Sequence, residues 1–228
     1  MKHFSFDSKF GRIMVKLCYA CFLNLLWMVC SLPVITIGAS TTALYYACLK
    51  IVREEDFSAA ALFFRSFKQN FKQATVLWLI LLAAGVILGG DGYILWHLRA
   101  NSTGAPAVIW TLLLAIVIAA AVVYVIVLLH VFPLLASVDN TNIAMLKNAF
   151  LIGTHYLFAT ILMFAVHFAM FWIIVSVFTP MFLFGEGLCA LICSWMLKNI
   201  LRSVTDDPEK EQSLTESETE MSESSQGK

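Results

Sequence analysis

The sequence predicts an all-α protein, a polytopic transmembrane bundle of six spans with a single transmembrane domain over residues 1–204 and an acidic tail over 205–228. Three observations carry that prediction. Of 228 residues, 60% are hydrophobic and only 13% charged, more apolar surface than one soluble core of this size hides. Four uncharged runs, Leu17 to Leu49, Gln73 to Gly90, Ala100 to Val138 and Asn148 to Gly185, each hold 18 residues or more, and about 20 residues cross a bilayer core. The bases, finally, cluster between these runs.

The first run decides the thread. Its 33 residues would make one helix of roughly 50 Å, well past a core of about 30 Å. Leu32-Pro33 and Gly38 interrupt it, Pro removing a backbone donor and Gly permitting a reversal. A hairpin of two helices, 12–32 and 39–52, follows. The other spans are predicted at 74–95, 107–131, 155–177 and 181–197, with Pro106 and Pro180 just before the fourth and the sixth span, where a missing donor costs least. Six spans place 14 bases on one side and only Arg99 on the other, the asymmetry of a protein with both termini in the cytoplasm. Because 39–52 is short, a re-entrant segment, and hence five spans, is the alternative.

Two further helices are predicted to rest at the cytoplasmic interface, over 57–72 and 139–153. In the first, Phe64, Phe67 and Phe71 recur at the spacing of one helical face, and Arg65, Lys68 and Lys72 share an adjoining one. Phenylalanines would enter the acyl boundary while the bases reach lipid phosphates or a partner. Glu54, Glu55 and Asp56 precede it, as acids do at a helix start. Beyond Thr205 the chain holds 8 of the 15 acids and 2 of the 15 bases. That composition predicts a disordered tail, and leaves a body of net charge +6 (13 bases against 7 acids).

Ionisable groups inside spans are expensive and therefore functional candidates. Glu186, between Gly185 and Gly187, and His167 lie at similar depths on the last two spans, so they could meet and serve a proton relay or a polar ligand. A contact that merely fixes helix packing is the competing explanation. Asp91 is a third candidate and reads as an acid near the outer interface. His130 and Asn24 are expected to be satisfied by a neighbouring helix or a backbone carbonyl rather than used as ligands. Cys18, Cys21, Cys30, Cys48, Cys189 and Cys193 all fall in apolar runs and read as free thiols. No catalytic motif, no phosphate-binding loop and no metal-ligand spacing occurs, so no enzyme, cofactor, metal or nucleic-acid partner is expected.

The stretch Asn24-Leu-Leu-Trp27, followed by Cys30-Ser-Leu-Pro33-Val-Ile-Thr-Ile-Gly38-Ala-Ser-Thr-Thr-Ala-Leu-Tyr45-Tyr and then Phe63-Phe-Arg65-Ser-Phe67-Lys-Gln-Asn70-Phe71-Lys72, closely resembles the YesL-like family of bacterial membrane proteins. The likeness is strongest from Phe10 to Trp78 and extends more loosely to Leu197. It implies the bacterial cytoplasmic membrane and no established activity. Members often sit beside carbohydrate uptake systems, so the resemblance implies an accessory or scaffold role with ABC-type sugar transporter subunits as partners. A transporter or permease subunit in its own right is the other expectation.

Overall fold

The computed structural model describes residues 9–53, 58–176 and 179–205. The acids Glu54, Glu55 and Asp56, Phe57, and the predicted acidic tail after Thr205 lie outside the described residues. The elements are α1 (Lys9–Ser31), a 3-10 turn (Val34–Thr36), α2 (Ile37–Val52), α3 (Ala59–Ala100), α4 (Ala105–Leu135), α5 (Asn142–His155), α6 (Leu157–Ser176), a second 3-10 turn (Thr179–Met181) and α7 (Phe182–Thr205). Six of the helices are long and apolar enough to cross a membrane.

The Pro/Gly-broken hairpin forms as the residues dictate. Pro33 adopts φ −75° and ψ 117°, extended backbone that ends α1. The Thr36 hydroxyl shares its one hydrogen between the carbonyls of Cys30 and Pro33, at 2.6 and 2.7 Å, and so gives a partner to the Cys30 carbonyl left over at the end of α1. Across the hairpin the Trp27 indole donates to Thr41 at 3.0 Å, and the hydroxyls of Ser31 and Ser40 meet. α2 is the hub: Ala39, Ala43, Leu44, Ala47 and Cys48 are fully buried, and α1, α3, α4 and α7 all pack on it. Small residues make this possible. A methyl on Gly38 would sit 2.5 Å from the Ala74 carbonyl oxygen and 2.6 Å from the Trp78 Cβ, so α2 and α3 meet backbone to backbone.

One expected boundary is corrected. The interfacial helix of 57–72 and the span of 74–95 are parts of a single α-helix of 42 residues, about 63 Å long. The sequence changes solvent preference at Lys72, but Gln73 and Ala74 are sound helix formers and nothing there breaks the backbone. One seam runs through the junction: Leu62, Phe63, Ser66, Asn70, Ala74, Leu77 and Leu81 are buried at three- and four-residue spacing, and α2 packs against this helix more extensively than any other. The second amphipathic segment, expected over 139–153, is α5, and it too is part of the bundle. Its Met145, Ala149 and Gly153 are buried and it folds back on α4 after Pro133 and the turn that follows. Tyr156, at φ −105° and ψ 51°, separates α5 from α6, and the Thr160 hydroxyl bridges the break to the Gly153 carbonyl at 2.7 Å.

The Trp78 indole donates to the Val34 carbonyl at 2.8 Å, fixing the α1–α2 turn against the middle of α3. Residues 79–100 therefore continue past that turn for about 33 Å, and α4 runs back beside them. Between Leu81 and Ile126 on these two helices, Leu114 is the one buried side chain. The pair forms an arm whose outward surface, Val86, Ile87, Tyr93, Ile94, Ile109, Leu112 and Ile116 among others, is exposed. Across the described residues 46 large apolar side chains are exposed. At about 1.5–3 kcal/mol each, that surface belongs in lipid or against another apolar surface, not in water.

Candidate functional site

α6 and α7 pack along one another. His167 is ten residues into α6, about 15 Å along a helix whose 20 residues match the core thickness, so it lies near mid-depth. The Gly-Glu-Gly triplet brings α7 to it. A methyl on Gly185 would lie 3.2 Å from Met170 and Ile174 of α6, and one on Gly187 only 2.3 Å from the Ala20 carbonyl oxygen of α1. With α6 close on one side and α1 on the other, Glu186 sits at a three-helix junction.

His167 Nε2 and Glu186 Oε1 are 4.0 Å apart, with about a quarter of each side chain exposed. His167 Nδ1 lies 2.8 Å from the Met163 carbonyl oxygen. That oxygen can only accept, so Nδ1 carries the hydrogen and Nε2 is the nitrogen that faces the carboxylate. Asn24, wholly buried on α1, accepts the Gly187 N–H at 2.8 Å, which locks α1 to α7 one residue from Glu186. Behind the pair, Tyr45 and Cys48 of α2 and Cys189 and Cys193 of α7 lie within electrostatic reach of Glu186.

The structure thus brings Glu186 and His167 together and keeps Asp91 apart, exposed on the α3–α4 arm. His130 is held by the Ile126 carbonyl at 3.0 Å. The basic and aromatic residues of α3 occupy its outward side: Arg65, Lys68, Lys72, Phe64 and Phe71 are exposed, and Phe67 is half-buried, its ring 5.5 Å from that of Phe71. Phe67, Lys68, Gln69, Phe71 and Lys72 line a depression of about 440 Å³. All six cysteines are free, Cys18 exposed and Cys48, Cys189 and Cys193 buried. Among the described residues no three His, Cys, Asp or Glu side chains converge as a metal site would require. Residue by residue the sequence does not mark the Asn24 lock on Gly187. The small residues on either side of Glu186 were the available signal for a junction there.

Helical fold, apolar surface and intramembrane polar junction define a multi-pass α-helical membrane protein. Residues 20–91 are similar to a family described as a protein of unknown function, DUF624. The match covers α2, about half of α1 and most of α3, the hub of the bundle and the region that carries the motifs quoted above. No curated protein and no solved structure matches the chain.

Proposed function

We propose that the protein is a non-enzymatic scaffold or accessory subunit of the bacterial cytoplasmic membrane, with both termini in the cytoplasm, serving a carbohydrate uptake system. The α3–α4 arm is the observation that carries this reading. Its two helices extend past the α1–α2 turn with almost nothing buried between them and the rest of the chain, which leaves one apolar flank available to transmembrane helices of another subunit. The basic depression on α3 offers a contact at the opposite end, where Arg65, Lys68 and Lys72 would meet anionic lipid headgroups or an acidic loop. The resemblance to the YesL-like family supplies the choice of partner, the membrane subunits of an ABC-type sugar importer. Mild-detergent pull-down of the full chain with mass spectrometry tests it. Recovery of permease subunits is expected, and their absence where other membrane complexes survive would refute it.

The Glu186–His167 pair favours a second reading, a transporter or permease subunit in its own right, since paired ionisable groups at mid-depth are typical of substrate and proton paths. Substrate movement by the purified protein alone in liposomes would favour that reading over the scaffold.

A further inference from the structure

We propose that Glu186 and His167 form a single proton-binding site inside the membrane bundle, the two side chains holding one proton between them. The argument starts from the Met163 carbonyl. Because its oxygen, 2.8 Å from His167 Nδ1, only accepts, Nδ1 is protonated whether the imidazole is neutral or charged, and the variable proton belongs to Nε2. Nε2 faces Glu186 Oε1 at 4.0 Å. With Nε2 bare and the carboxylate ionised, two lone-pair groups confront one another and the site carries a net negative charge in apolar surroundings.

Among the described residues, His167 is the charged group that acts on Glu186. α1 contributes Asn24, whose oxygen is engaged by the Gly187 N–H. α2 contributes Tyr45 and Cys48, and α7 contributes Cys189 and Cys193. Each of these is uncharged when protonated. One proton neutralises the pair, either as a carboxylic acid opposite bare Nε2 or as a carboxylate opposite Nε2–H, and a small rotation or one bridging water closes the 4.0 Å gap into a hydrogen bond. A second proton would restore net charge. The site thus holds one proton across the range between those two steps, as coupled groups do. The inference does not depend on the scaffold reading, which would stand or fall with the pull-down.

The test is nitrogen-15 NMR of histidine-labelled full-length protein in lipid nanodiscs over a pH series, beside infrared detection of the carboxylic acid carbonyl. In the wild type, His167 is expected to keep Nδ1 protonated throughout, and the Nε2 signal and the Glu186 carboxyl band are expected to change at the same pH. In E186Q, which has no carboxylate to share the proton, the Nε2 signal should respond to pH differently from the wild type. A bare Nδ1 in the wild type, which needs no variant to detect, would overturn the proposal. So would an imidazole that titrates at an unchanged pH in E186Q. H167Q supplies the reciprocal measurement on the Glu186 band, and an unmoved band there would also overturn it.

Discussion

The junction of α1 and α7 makes a steep demand of one residue. Replacing Gly187 with Ala places a methyl carbon 2.3 Å from the Ala20 carbonyl oxygen and 2.9 Å from the Asn24 Cβ, where ordinary contacts begin near 3.4 Å. A backbone carbonyl is not the end of a flexible side chain, so α1 must retreat by about 1 Å, measured against normal van der Waals spacing. Overpacking of this kind costs about 1–3 kcal/mol. The retreat also stretches the Asn24 to Gly187 hydrogen bond from 2.8 Å, and its loss adds about 0.5–1.5 kcal/mol. Gly89 is the internal control. A methyl there meets nothing within 4 Å, so Gly89→Ala should be neutral or slightly stabilising through helix propensity. Reversible unfolding in mixed micelles, followed by tryptophan fluorescence, should place Gly187→Ala about 2–4 kcal/mol below wild type and Gly89→Ala level with it. Equal stability of the two variants would refute the close approach of α1 and α7 and, with it, the three-helix junction around Glu186.

The topology of α2 is open to a labelling test. Cys48 is fully buried and is not expected to react with an impermeant maleimide in the folded protein, whereas Arg53 is exposed. In an otherwise thiol-free background Arg53→Cys should be labelled from the side that holds the N-terminus, and labelling from the opposite side would reduce six crossings to five. Trp78→Phe should lower stability by about 1 kcal/mol by freeing the Val34 carbonyl, and an unchanged unfolding midpoint would show that the turn is not pinned there. Lys68→Gln with Lys72→Gln should reduce the anionic lipid retained in native mass spectrometry, each base being worth about 1 kcal/mol at a charged surface; unchanged retention would remove the depression from the list of lipid contacts.

What the residues made legible, and what they did not, follows from the range of the forces involved. Pro33 acts on its own backbone, so the break between α1 and α2 could be read directly, with boundaries close to those found, whereas Gly38, expected to permit a reversal, lies inside α2 and lets that helix approach α3. The meeting of His167 and Glu186 could be anticipated because both depths are counted from helix ends at a fixed rise per residue. The continuity of α3 could not. Hydropathy reports which solvent a side chain prefers and is silent on whether the backbone bends, so the change at Lys72 looked like the end of an element. What fills the seam there is tertiary: Ser66 accepts the Asn70 amide at 3.2 Å, and these polar side chains are buried against α2 rather than turned to a headgroup layer. The same holds for α5, whose apolar residues suit a lipid surface and a helix surface equally well.

The α3–α4 arm separates two kinds of cover that hydropathy also treats alike. Lipid chains are fluid and accept any apolar outline, whereas a docked helix needs complementary shape. Val86 and Ile116 are 68% and 65% exposed on the arm, and exchanging both for Phe keeps the surface apolar while changing its relief by several methylene volumes. If lipid alone covers the arm, Val86→Phe with Ile116→Phe should leave insertion, stability and co-purified proteins unchanged. If a permease helix seats there, insertion and stability should hold while recovery of that subunit falls at least tenfold, the equivalent of about 1.4 kcal/mol, within the cost of overpacking one well-fitted interface. Undiminished recovery of a permease subunit would move the docking surface off the arm.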